Sequence, residues 1–180
     1  MQDILIVVDM QNDFVTGALG SPEAVAVLPK VVEKVRRFDG RVLFTRDTHE
    51  ENYLDTQEGK NLPVVHCVRN TDGWQICPEL EAVRKEQPVD KCTFGSVELG
   101  TVLRAADREN HIRKITLVGV CTDICVISNA LLLKAFLPET EIAVDAACCA
   151  GVTPESHRTA LNAMKACQIT IENESGSEHK

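Results

Sequence analysis

Positive charge is in short supply in this chain. Lysine and arginine total 19 against 27 aspartates and glutamates, a formal net charge of −8 at pH 7. Broad contact with nucleic acid or anionic lipid favours basic surfaces, so neither is expected as a partner. A small anionic substrate needs only one local cation and stays open. Long apolar runs are missing too: stretches such as Ala130 to Leu133 fall far short of the about 20 residues of a membrane-spanning helix. Met1-Gln2-Asp3 is acidic and leads straight into a strand-like run, where a secretory signal has a basic segment and a longer apolar one. The eight cysteines (67, 77, 92, 121, 125, 148, 149 and 167) form no CxxC pair, which weighs against zinc-ribbon and thioredoxin-type sites. They read as reduced thiols of a cytoplasmic protein, mostly small buried hydrophobes, with at most one doing chemistry. No internal repeat or low-complexity linker is visible.

What is present is globular in composition. The 180 residues are 44% hydrophobic and 26% charged, sized for one domain over residues 1–172 with a polar tail at 173–180. Ile4 to Val8 is a continuous apolar run, the signature of a strand buried on both faces. Further strands are expected at Arg41 to Thr45, Val89 to Cys92, Ile115 to Val120, Glu141 to Val144 and Ile169 to Ile171. Helices are expected at Ala24 to Phe38, Leu99 to Glu109, Asp123 to Phe136 and Pro154 to Ala166, the third apolar on most faces and so largely buried. Pro29 is expected to make the start of the first helix irregular. Residues 47–78 form a long irregular stretch, and so long a loop in a compact domain usually carries function. Alternation of strand and helix predicts an α/β three-layer sandwich with a mostly parallel central sheet. Ligands bind beyond the carboxyl ends of such strands. Asp9, Asp47, Lys91 and Cys121 each follow a strand, so they should meet on one rim.

The chemistry-bearing residues fall into two groups. Gly119-Val120-Cys121-Thr122-Asp123-Ile124-Cys125 reads as a buried strand, a tight turn and the start of a helix. Cys125 in the first helical turn would face unpaired N–H groups, which favour thiolate and can hold an oxyanion. A nucleophilic cysteine needs a base and a group that tunes it. Asp9 beside Lys91 would stay ionised, accept the thiol proton and later return it to a leaving amine. Separately each has a plain structural reading, Asp9 as a cap and Lys91 as a surface charge. His157 is an alternative base, though its position after Thr153-Pro154-Glu155 suits a capping or solvent-facing role. In the second group, Asp47 and His49 are two apart and point the same way in an extended segment. With His66, and Glu58 between them, they form a donor set suited to Zn, Fe or Mn, or else solvated polar residues on a loop.

These segments resemble the isochorismatase-like cysteine hydrolases, and within them the nicotinamidase/pyrazinamidase branch. The resemblance is carried by Val8-Asp9-Met10-Gln11-Asn12-Asp13-Phe14, Gly17-Ala18-Leu19, Thr45-Arg46-Asp47-Thr48-His49, Val65-His66-Cys67-Val68, Asp90-Lys91 with Phe94, Gly119 to Cys125, and Thr153 to His157 through Leu161. It implies a catalytic triad of Asp9, Lys91 and Cys125, and a cis peptide between Val120 and Cys121. It also implies an oxyanion hole from the Cys121 and Cys125 amides. Asp47, His49 and His66 match metal ligands, with Glu58 an extra one found in some members. Phe14 matches a ring-packing position, and Leu19, Trp74 and Val120 are expected around the substrate. Residues 50–56 and 70–74 depart from the family's pattern, and the only Trp falls in the second of these stretches.

The resulting expectation is a metal-dependent amidohydrolase converting nicotinamide to nicotinate and ammonia through a cysteine thioester, with a divalent Zn, Fe or Mn ion, in a cytoplasmic homo-oligomer. Three other readings stay open at this point. They are a metal-free cysteine hydrolase acting on another amide, an N-carbamoyl compound or a vinyl ether; a non-catalytic binding module; and a thiol redox protein.

Overall fold

A computed structural model describes residues 1–174. Six strands form one sheet in the order β3-β2-β1-β4-β5-β6: β1 (Gln2–Val8), β2 (Arg41–Asp47), β3 (Val89–Lys91), β4 (Ile112–Val120), β5 (Glu141–Ala150) and β6 (Thr170–Glu172). Every neighbouring pair is parallel. Successive side chains of a strand point to opposite faces, so β1 feeds two cores at once. Ile4, Ile6 and Val8 enter one, Leu5 and Val7 the other, all fully buried. Each such side chain contributes about 1.5–3 kcal/mol relative to exposure. The first core is closed by α5 (Val97–Glu109), α6 (Ile127–Phe136) and α7 (Pro154–Ala166). The second is closed by α2 (Pro22–Arg37) together with the short helices α1 (Asn12–Val15) and α4 (Pro78–Glu81). The three-layer α/β sandwich expected from the alternation is what forms.

The chain leaves β1 for β2 and β3 on one side, then returns to β4 on the other. The carboxyl ends of β1 and β4 therefore flank the point where strand order reverses, the usual ligand crevice of open α/β sheets. Packing there is tight. Val8 pairs with Gly119, whose φ of +115° suits only glycine, and a Cβ at that position would stand 2.2 Å from the Val8 carbonyl.

Several boundaries differ from the sequence expectation. Helix α2 starts at Pro22, capped by Ser21, so Pro29 lies mid-helix; the bond it removes would go to Val25, which is exposed and can use water. Strand β5 runs six residues beyond Val144, because extra residues bulge out between its Leu117–Val144 and Gly119–Cys149 pairings. Cys148 and Cys149 thus sit within the strand and face opposite cores. Helix α6 is only partly buried, with Leu131 38% exposed. Residues 47–78 are not wholly irregular: they hold a 3-10 turn at Tyr53–Asp55 and helix α3 (Gln57–Asn61). The expected tail is described as far as Glu174; its residues 175–180 lie outside the described residues.

Candidate active site and metal site

The parallel sheet delivers its strand ends to one rim, as the pattern of polar residues after apolar runs predicts. Asp47 and Lys91 are register partners at the ends of β2 and β3. Asp9 follows β1, and Cys121 follows β4. Lys91 Nζ lies 2.6 Å from Asp9 Oδ2, 3.2 Å from Asp47 Oδ1 and 3.4 Å from Cys125 Sγ. All four side chains are buried. Thr45 Oγ1 donates to Asp9 Oδ1 at 2.7 Å. Asp9 Oδ2 is buried with no well-directed hydrogen bond, so it remains an open acceptor beside the ammonium. Asp9 also holds a left-handed φ of +49°, a conformation that costs energy for a non-glycine residue and tends to be kept where geometry matters.

The electrostatics correct one expectation. Burial, followed by the negative charge of Asp9, pushes the Cys125 thiol well above the ordinary cysteine range, against the opposing pull of Lys91. This favours the thiol form, whose proton needs an acceptor when the sulfur attacks. Burial also raises the Asp9 carboxyl, more than the Lys91 charge lowers it. That makes Asp9 a better base than a solvated carboxylate. Burial alone would lower the Lys91 ammonium, but the charges of Asp9, Cys125 and Asp47 outweigh it and keep the group protonated.

Cys125 lies in one turn of π-helix, Thr122–Val126, rather than in the first turn of an α-helix. The Cys121 carbonyl accepts from both the Ile124 and Val126 amides. Such single π turns inside helices are frequent at functional sites. The Val120–Cys121 peptide is cis. Asn129 holds the turn from below, its Nδ2 donating to the Cys125 carbonyl at 2.8 Å and its Oδ1 accepting from the Ser96 amide.

The second group also assembles. Asp47, His49, Glu58 and His66 each point one ligand atom into a common space, all within 4.8 Å of one another. His49 Nε2 is 3.0 Å from Asp47 Oδ2 and 3.5 Å from Glu58 Oε1, yet it is buried without a well-formed hydrogen bond. His66 Nδ1 stands 2.7 Å from the Val64 carbonyl. A carbonyl only accepts, so the proton sits on Nδ1 and the Nε2 lone pair faces the cluster. Two imidazoles, two carboxylates and an orphaned buried nitrogen fit a divalent cation. Asp47 is held in place by Gln11, whose Oε1 accepts the Asp47 amide proton at 2.7 Å while its Nε2 donates to the Asp47 and Trp74 carbonyls.

Loop residues gain their positions locally. The His49 amide donates to the Cys67 carbonyl, and the His49 carbonyl accepts from Arg69, so the segment after His66 runs alongside residue 49. Tyr53 is fully buried, its ring 4.5 Å from that of His49 and 5.0 Å from that of His66, and its hydroxyl donates to the Leu62 carbonyl. Thr56 caps α3 and thereby places Glu58. Gln11, Thr45, Tyr53 and Asn129 were not among the expected site residues. Gln11 and Thr45 stand inside the motifs that carry the resemblance, and the lone Tyr marks the polar loop.

Both groups open onto one cavity of about 900 Å³. Phe14, Leu19 and Val120 line it as expected, as do Asp47, Glu58, His66, Cys121 and Cys125. Trp74 does not. Its indole N–H donates to Thr48 Oγ1 at 2.8 Å, and the Arg46 guanidinium stacks 3.3 Å above its ring, behind the metal set. His157, the alternative base, also stands off the cavity wall, hydrogen-bonded to Thr122.

Comparison with known proteins agrees with this architecture. Residues 3–175 match the isochorismatase domain family. A nicotinamidase of Schizosaccharomyces pombe is 28% identical over 204 residues, spanning 93% of this chain and 91% of that one. Among solved structures, a pyrazinamidase of Pyrococcus horikoshii in complex with zinc is 34% identical with a TM-score of 0.76, covering 95% of this chain and 98% of that one. The nicotinamidase/pyrazinamidase PncA of Bacillus subtilis gives a TM-score of 0.81 at 26% identity, over 96% of this chain and 100% of that one. With its fold, its rim of strand-end residues and a match over nearly its full length in agreement, the chain belongs to the isochorismatase family.

Proposed function

We propose that this protein is an amidohydrolase of the nicotinamidase type, converting nicotinamide and water to nicotinate and ammonia. The observation that carries the reading is the buried Lys91 ammonium, which touches Asp9 and Cys125 together at 2.6 and 3.4 Å, behind a cavity lined by Cys125 and by Asp47, Glu58 and His66 of the metal set. Asp9 accepts the Cys125 proton as the sulfur attacks the amide carbon. Because the thiol is pushed up, proton transfer and attack are coupled, and the raised basicity of Asp9 narrows the gap between donor and acceptor. The Cys121 and Cys125 amides hold the developing oxyanion, worth roughly 3–4 kcal/mol per donor. Asp9 returns the proton to the departing ammonia, then activates the water that cleaves the thioester. Lys91 stays protonated and keeps Asp9 oriented throughout.

Asp47, His49, His66 and Glu58 would hold a divalent ion, Zn, Fe or Mn, which supplies a Lewis-acidic anchor for the pyridine nitrogen of the substrate. Phe14, 5.5 Å from the His66 ring, would pack on the substrate ring with Leu19 and Val120. The product acid would return to pyridine-nucleotide salvage. A cytoplasmic location fits eight unpaired thiols, and self-association follows the family resemblance. The test is ammonia release from a small amide panel with and without added metal. Nicotinamide turnover that chelation abolishes and Zn, Fe or Mn restores is expected. Turnover confined to other amides, or indifferent to chelator, would reject this reading.

A further inference from the structure

The turn that carries Cys125 is tied to the start of α7 and the loop before it. Its first residue, Thr122, is fully buried, an unusual place for a hydroxyl unless it is bonded. Thr122 Oγ1 lies 2.8 Å from Nδ1 of His157, a half-buried residue in the first full turn of α7. The next residue, Asp123, accepts the Val152 amide proton at 3.1 Å, a bond to the loop leading into α7. That loop is tight. A Cβ on Gly151 would stand 2.9 Å from the His157 amide nitrogen, and Gly151 and Val152 themselves form part of the cavity wall. The entry to α7 is in turn fixed by a reciprocal cap between Thr153 and Ser156, with Pro154 at its first position. The π turn is therefore gripped by two adjacent side chains, both reaching the same rigid helix start.

Resting on the proposed amidohydrolase reading, we infer that His157 is a positioning residue. Through Thr122 it fixes the turn that presents the Cys125 sulfur and the Cys121 and Cys125 amides to the substrate carbonyl. His157 itself touches neither the cavity nor the triad. Burial lowers its imidazole below the ordinary histidine range, so at neutral pH the link is a hydrogen bond between uncharged groups. A displacement of the turn disturbs orientation toward the transition state more than ground-state binding, because substrate is held by groups on other elements.

The test is a double-mutant cycle on His157 and Thr122, read by steady-state kinetics with nicotinamide. His157→Ala and Thr122→Val should each lower kcat by about tenfold, with KM within about twofold. The double variant should be no slower than the worse single, since both remove one bond. His157→Asn, whose amide reaches where Nδ1 stood, should recover kcat to within about threefold of wild type. Losses that multiply in the double variant, a kcat unchanged in His157→Ala, or an Asn variant no better than Ala would overturn the inference. Absence of ammonia release from the wild-type protein would count against the proposed function alone. The alkylation rate of Cys125 by iodoacetamide, followed by peptide mass spectrometry, then decides the positioning claim without any substrate. It should shift by at least about threefold in His157→Ala and return in His157→Asn; equal rates in all three proteins would overturn it.

Discussion

The two halves of the site are built in different ways. Asp9, Lys91 and Cys125 are set by strand ends and a turn directly after a strand, so sheet register brings their elements together on one rim. The metal set takes only Asp47 from the sheet; His49, Glu58 and His66 come from the loop beyond β2 and depend on local ties such as the Tyr53 hydroxyl and the Thr56 cap. Asp47 joins the two halves, with Oδ1 3.2 Å from Lys91 and Oδ2 3.0 Å from His49. Long-range pairing makes the first half stiff. The second half rests on a few local hydrogen bonds.

That contrast is broken hardest at the nucleophile. Cys125→Ala should lower nicotinamide turnover by about 10⁴-fold or more, with metal content, measured by elemental analysis, and melting temperature near wild type. Removing the metal should act on the other half. Chelation should leave the far-ultraviolet circular dichroism of the sheet intact, while proteolysis in residues 50–65 speeds up. At a metal concentration of 100 times Kd, restored ion should add about 2.7 kcal/mol of stability, read as a rise in melting temperature. Chelation that unfolds the whole chain would erase the distinction between the halves.

A smaller perturbation probes the loop's own ties. Tyr53→Phe removes the bond to the Leu62 carbonyl while keeping the ring against both imidazoles. Metal affinity should fall by about 10-fold, as when an outer partner of a ligand is lost, with Cys125 alkylation unchanged. The stiff half has its own pH signature. Because burial and Asp9 raise the Cys125 thiol, its thiolate fraction keeps growing as pH climbs through the ordinary cysteine value. The Cys125 alkylation rate should therefore still rise about tenfold per pH unit near pH 9. A plateau for Cys125 below pH 8 would contradict the raised thiol.

The same division explains what could be read from the sequence. Buried parallel strands are continuous apolar runs that stop at a polar residue, so Asp9 and the Gly119–Cys125 turn were legible one by one; Lys91 ends the short, mixed strand Val89–Lys91 and was legible only through its place after Asp90 in the family motif, and parallel topology supplied their meeting. The metal set was weaker, because the ligand gap from His49 to His66 is bridged by contacts that leave no periodic trace. A five-residue helix such as α3 is too short to show a 3.6-residue pattern. The π turn differs from an α turn by one residue, which hydrophobic spacing does not register. Strand β5 ran past its expected end because Asp145 breaks the apolar pattern, and Lys34, which satisfies its carboxylate at 2.8 Å, is 111 residues away in the chain. Trp74 was drawn to the pocket by its place in the loop; Arg46 and Thr48 hold it elsewhere.

The central claim is that a neutral thiol at 125 becomes a nucleophile when Asp9, steadied by Lys91, takes its proton. Rapid acid quench of the enzyme turning over nicotinamide, followed by intact-protein and peptide mass spectrometry, tests it most directly. A nicotinoyl adduct on Cys125 in the wild type, absent from Asp9→Asn and from Cys125→Ala, is the expected result. Ammonia release at wild-type rate from Cys125→Ala, or an adduct that forms as fast in Asp9→Asn, would contradict it.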